Sequence, residues 1–175
     1  FQPAFSANLP AWVAEVMTAP TEQTADTVTW NRCEERPVCI GLDAYTIRYL
    51  TRGSTEPATY AGYLARMEEL RRAGAIDVTD SRQTTIDGRP ATVYSLLTNG
   101  DTADGMGCFT TLRCQDFYTD NLARYAVVDT GSAPLVIGMR TFVENPQGQV
   151  WIDQLEGMLA TLRMPEPDRL AVQEL

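Results

Sequence analysis

Two cysteine pairs carry the most specific chemistry in this sequence. Cys33 and Cys39 bracket EERPV, Cys108 and Cys114 bracket FTTLR, and the chain has no other cysteine. Four thiolates can hold zinc, but structural zinc sites favour about two to four intervening residues in a compact knuckle. A dithiol redox couple takes the C-x-x-C form beside a helix start or basic neighbours, and neither segment has that form. Two structural disulfides in an oxidising compartment fit best, with buried free thiols in a reducing compartment as the alternative. The pairing stays open. In the chain-entropy model a short local loop stabilises by roughly 2 kcal/mol and a Cys33–Cys108 link by about 4 or more. The matched spacing and the polar turn Glu34-Glu35-Arg36-Pro37 nevertheless favour two local clasps, Cys33–Cys39 and Cys108–Cys114.

What the chain lacks is equally informative. Its 14 basic residues are all arginine, and it has neither lysine nor histidine. Schiff-base lysines, imidazole bases, histidine metal ligands and histidine pH switches are therefore excluded. The net charge of −9, from 23 acids against 14 bases, opposes nucleic acid, which is bound by neutralising phosphates. No cofactor and no metal site is expected. Asn99, Asp101 and Asp104 hint at calcium, but DTADG lacks the alternating acids and the twelfth-position glutamate of an EF-hand, so a solvated turn is expected. Ser132 has no G-x-S-x-G frame and no histidine to activate it. Paired carboxylates acting as a small hydrolase are the alternative to a non-catalytic role. Trp12, Trp30 and Trp151 fall on apolar faces and are expected in the core, and Arg66, Arg71 and Arg72 on a solvated helix face.

These residues need elements to position them. At 175 residues the chain buries roughly 70% of its unfolded surface as one domain over 1–164, followed by a polar tail over 165–175. Leu9, Val13, Val16 and Met17 predict a short helix with Asn8 as its cap. Strands are predicted over 26–30 and 45–50. Ser54-Thr55-Glu56-Pro57 predicts the start of a longer helix, with Tyr60, Tyr63, Leu64, Met67 and Leu70 on one face and Gly74 as its stop. Asp87-Gly88 joins strands 76–86 and 89–98 as a hairpin. Residues 99–107 read as a loop and 115–121 are ambiguous. Strands over 123–129 and 134–143 flank TGSA, and Asn145-Pro146 opens a last helix with Val150, Trp151, Leu155, Met158, Leu159 and Leu162 on one stripe. No stretch approaches the ~20 apolar residues of a membrane helix. The chain begins at Phe1, so any leader or anchor is expected upstream of it.

Tight turns between successive strands predict an α+β fold: an antiparallel sheet of about six strands covered by amphipathic helices. The helix ending at Gly74, then TTIDGRPATVYSLL, YAVVDTGSAPLVIGMRTFV and WIDQLEGMLATLRMP, resembles the PsbP-like fold. That fold includes the photosystem extrinsic protein PsbP, a yeast nuclear-import factor that binds Ran, and actinobacterial LpqN-type lipoproteins. The resemblance covers residues 56–164, with Thr161 standing where serine is common. It implies a non-catalytic extracytoplasmic binding or accessory module for a protein or lipid-like ligand, secreted or in the envelope, reaching a membrane only through an anchor outside this chain.

The segment MGCFTTLRCQDFY (106–118) stands outside the regular scheme. Its Phe109, Phe117 and Tyr118 are candidate partner-binding anchors on a disulfide-ordered loop; the same rings folded back over the sheet are the alternative. Non-reducing peptide mapping of the secreted protein is expected to show Cys33 linked to Cys39, Cys108 linked to Cys114, and no alkylatable thiol.

Overall fold

A computed structural model describes residues 1–16 and 19–164; Met17 and the tail over 165–175 lie outside the described residues. The elements run α1 (Ala11–Val16), β1 (Glu22–Gln23), β2 (Thr27–Glu35), β3 (Val38–Thr46), α2 (Tyr60–Arg72), β4 (Ile76–Ile86), β5 (Arg89–Thr98), β6 (Thr102–Cys108), β7 (Cys114–Phe117), β8 (Asn121–Val128), β9 (Leu135–Phe142) and α3 (Gly148–Thr161). Seven strands form one antiparallel sheet in the order β1-β2-β3-β9-β8-β5-β4, and β6 pairs with β7 as a separate ribbon. The expected α+β architecture is present, with seven strands in the main sheet rather than about six.

Strand alternation puts apolar residues on both faces of this sheet. Along β9, Leu135, Ile137 and Met139 enter one core while Val136 enters the other. On the first face, Val13 of α1 and Ile152, Leu155, Met158 and Leu159 of α3 close over Leu42, Val93 and Ile137. On the second, Tyr63, Met67 and Leu70 of α2 share the work with Met106, Phe109 and Phe117 of the β6–β7 ribbon. The ribbon is thus a structural layer. It docks through a bridge between Tyr49 and Cys108, whose backbone groups bond each other.

Several boundaries differ from the sequence-based expectation. β3 starts at Val38 and ends at Thr46, because Ile40 to Thr46 pair continuously with β9; the 45–50 strand is only its end. α2 starts at Tyr60 rather than near Pro57. Ser54 and Glu56 close a turn, Ala58 donates to the Arg48 carbonyl at 2.7 Å, and Thr59 becomes the cap, its hydroxyl accepting from the Gly62 amide at 3.1 Å. Asn8 does not cap α1: its amide donates to Thr161 Oγ1 at 2.9 Å, and the Pro10 carbonyl receives the first helical bonds. Residues 99–107 are not a loop but largely β6. Gly105 hid that strand from the alternation pattern, and it is needed there because a Cβ would fall 2.3 Å from the Phe117 ring. Val150 is 65% exposed, so the α3 stripe is narrower than read.

Gly138 in β9 shows how tightly the second core closes. A Cβ there would lie 1.8 Å from Cδ1 of Tyr125, the residue directly across on β8, and 2.8 Å from the Arg124 carbonyl. Gly138→Ala is expected to cost about 1–3 kcal/mol through overpacking. Gly157→Ala, in mid-α3 with open space around it, is expected to gain about 0.5–1 kcal/mol. Urea denaturation of the two variants checks both signs.

Candidate functional site

The two disulfides do different jobs. Cys33 and Cys39 face each other across the β2–β3 hairpin with Cα atoms 4.0 Å apart, and Cys108 and Cys114 across the β6–β7 ribbon at 3.8 Å. Both are local clasps. Asp104 lies near the second pair, but the sulfurs bonded to each other are not thiolate ligands, so Asp104, Cys108 and Cys114 do not make a metal centre. Cys108 is buried on the second face with Cys114 half-buried beside it, whereas the 33–39 hairpin reaches out beside a groove.

That groove lies on the first face, where the cover of α1 and α3 ends. Trp12 of α1, Trp151 of α3, Val38 and Ile40 of β3 and Pro146 form its apolar wall; Arg32, Asn145 and Gln147 supply polar groups. Its volume is about 310 Å³; a second hollow of about 210 Å³, lined by Asn31, Cys33, Gly41, Arg140 and Phe142, lies on the other face of the same strands. Known ligand pockets run from about 300 to 1,000 Å³ and combine apolar walls with a few polar groups. Trp30 is core as expected, but Trp12 and Trp151 are only partly buried and line this groove. Trp12 Nε1 is shielded from solvent without a hydrogen-bond acceptor among the described residues.

A hydrogen-bond relay fixes the groove floor. Thr141 Oγ1 donates to the Cys39 carbonyl at 2.6 Å and accepts from Asn145 Nδ2 at 2.9 Å. Asn145 Oδ1 in turn accepts from the Gln147 amide at 3.1 Å, and its carbonyl accepts from Gly148 at 2.9 Å. Asn145 therefore acts before α3 begins, tying the disulfide hairpin to the helix that carries Trp151. Arg36, at the hairpin tip, lies 4.3 Å over the Phe142 ring and 3.7 Å from Asp120. This wiring joins residues over 100 positions apart and had no local signal in the sequence.

The proposed aromatic anchors need correction. Phe109 and Phe117 are buried in the second core, Phe109 stacked on Tyr45 at 5.2 Å and Phe117 at 6.3 Å from Tyr125. Apolar surface on the uncovered half of the sheet draws them inward. Tyr118 stays 49% exposed.

Among the described residues the carboxylates do not make an opposed pair across a cleft. Asp153 and Glu156 both flank Arg124, Asp26 binds Arg48, and Asp104 binds the Arg52 amide and guanidinium. Asp101, just before β6, accepts from the Thr119 amide at 2.8 Å, while Asp104 lies within the strand. Arg71 and Arg72 hold the exposed Glu68 carboxyl down at about 2, the wrong direction for a general acid. Among the described residues Ser132 bonds only within its turn. Among the described residues the most deeply set acid is Asp43, fully buried and paired with Arg140 at 2.7 Å. Burial pulls the Arg140 guanidinium down, but the Asp43 charge, Tyr125, Tyr45 and the hydrogen bond to Asp43 together outweigh it and the net displacement is upward. Tyr45 and Tyr125 are pushed up by burial first, with Asp43 adding to it. Displaced upward, Arg140, Tyr45 and Tyr125 keep their protons through the neutral range.

The buried Phe117 and its exposed neighbour Tyr118 are expected to respond differently to truncation. Phe117→Ala is expected to cost about 3–5 kcal/mol, and Tyr118→Ala to stay within about 0.5 kcal/mol, as read by thermal unfolding.

No family model matches the chain, and no curated protein matches it in sequence. Solved structures do match. A protein of unknown function, PA94 from Pseudomonas aeruginosa, is similar over 85% of this chain and 88% of its own, at 14% identity and a TM-score of 0.50. Cyanobacterial PsbP from Synechocystis sp. PCC 6803 is similar over 92% of this chain and 82% of its own, at 8% identity and a TM-score of 0.42. A PsbP thus stands among the structural matches, as the sequence resemblance implied; its import-factor and LpqN members remain expectations. At these identities the likeness concerns the fold alone, and the site must be judged on its own chemistry.

Proposed function

We propose that this protein is a non-catalytic, extracytoplasmic binding module that holds the apolar chain of a lipid-like ligand in the Trp12–Trp151 groove. The observation that carries this reading is the groove itself: apolar walls, two indoles and a few polar groups, closed on one side by a disulfide-clasped hairpin. A short clasp lowers the ordering cost of binding, because the hairpin is already fixed when the ligand arrives. Two disulfides support an oxidising compartment. The carboxylates engaged by arginines, and the absence of lysine and histidine, weigh against the hydrolase alternative.

Tryptophan emission tests the reading directly, since two of the three indoles line the groove. Titration with sodium laurate and with lysophosphatidylglycerol is expected to give a saturable blue shift. Val38→Asp places a charge in the apolar wall and is expected to abolish the shift without moving the melting temperature. Emission that never saturates, or that saturates equally in Val38→Asp, overturns the groove as the site.

A further inference from the structure

The two edges of the main sheet are treated unequally. At one edge stands β1, two residues long; at the other stands β4, eleven residues long and exposed over most of its length. An edge strand leaves a row of backbone donors and acceptors without partners, and such rows are templates for a further strand. Which residues of β4 point outward follows from the hairpin it shares with β5. The loop between them is Asp87-Gly88, both at positive φ (50° and 73°), so Ile86 and Arg89 flank a two-residue turn and exchange both hydrogen bonds. Parity then directs the backbone groups of Ile86, Thr84, Arg82 and Asp80 toward β5, and those of Thr85, Gln83 and Ser81 outward. Pro90 agrees: opposite Thr85, its carbonyl turns away from β4 to accept from the Asp129 amide at 2.8 Å. The register shift between Val78 and Asp80 ends this regular stretch.

We infer that residues 81–85 of β4 pair antiparallel with the same segment of a second copy, joining two sheets into one across a two-fold axis. Gln83 lies opposite its counterpart, Ser81 opposite Thr85 of the other copy, and about six backbone hydrogen bonds form. The segment is self-complementary in this register. Outward backbone groups meet outward backbone groups, and the facing side chains are Gln with Gln and Ser with Thr, which donate and accept equally well. Arg82 faces Thr84 of the other copy rather than a like charge. It also brings its own counter-ion, because it already pairs with Glu156 of α3. A foreign peptide has no such built-in match, so a second copy is the occupant the strand fits. The contact is small, and two chains of −9 repel, so pairing is weak and strengthens as salt screens that repulsion.

Sedimentation velocity over a concentration series, at low and at 0.5 M salt (roughly a 4 Å screening length), reads the equilibrium. The wild-type chain is expected to show a concentration-dependent dimer that tightens with salt. Gln83→Pro removes an outward amide hydrogen and leaves the β4–β5 ladder intact, so it is expected to weaken the dimer about tenfold or more at unchanged melting temperature. Gln83→Lys sets two ammonium groups opposite each other and is expected to do the same without any backbone effect. Thr84→Pro instead strikes a bond to β5 and is expected to lower the melting temperature. A wild-type chain that stays monomeric throughout, a dimer that survives both Gln83 variants, or an unchanged melting temperature in Thr84→Pro overturns the inference. The groove is not touched by these variants, so laurate binding stays a separate readout.

Discussion

A sheet that is apolar on both faces must be covered on both faces, and most of what is distinctive in this chain follows from that demand. β9 and β8, at its centre, contribute buried residues to two cores. Helices close the first face with α1 and α3. The second face receives only α2, too little cover for a sheet this wide. The deficit is met by a two-stranded ribbon whose chemistry is unsuited to standing alone: isolated hairpins are marginal in water. Its clasp between Cys108 and Cys114, the stacking of Phe109 on Tyr45 and the seating of Phe117 against Gly105 and Tyr125 make it a fixed lid. The aromatic residues that look like interface anchors in the sequence are the means by which the lid is held.

Helix geometry on the first face leaves a different remainder. α3 runs from Gln147 beside the disulfide hairpin to Leu162 near the Asp87 turn, where the Met164 amide donates to Asp87 at 2.7 Å. Its lower half is sealed by Leu155, Met158, Leu159 and the N-terminal segment. Its first turn is not. Trp151 and Trp12 line the groove there, with Asn145 hydrogen-bonded to Thr141 beside them. The hollow therefore belongs to the way the cover ends.

How much of this was legible depends on whether the cause is local. The Asp87-Gly88 hairpin, the β8–β9 hairpin, the buried stripe of α2 and the pairing of the cysteines follow from short-range turn chemistry and periodicity, and those readings hold. Where long-range contact decides, reading fails in specific ways. Thr59 wins the cap of α2 because Ala58 is already bonded to Arg48. β6 is a strand despite two glycines because its role is to let Phe117 close on the core. The Asp43–Arg140 pair joins residues 97 positions apart, and nothing in LDAYT announces that the aspartate is fully buried. The relay from Cys39 through Thr141 to Asn145 is of the same kind. The groove itself had no signature, because an indole on an apolar helix face reads the same whether it fills a core or lines a hollow.

The groove and the β4 edge lie on opposite flanks of the sheet, one beside the β2–β3 hairpin and the other at the far side of β5. The two proposed sites therefore do not compete for surface. An antiparallel extension through β4 has its two-fold axis perpendicular to the sheet, so both copies would present the α1–α3 face, and with it both grooves, to the same side. Two weak sites facing one way gain avidity on any surface that displays many ligands, without a new contact at either site. The same arrangement would be of no use toward a soluble ligand taken one molecule at a time. A comparison of dimer-competent and Gln83→Lys chains on laurate-bearing vesicles against laurate in solution separates the two situations: only the vesicle affinity should fall. That expectation ties the edge strand to the groove through geometry alone.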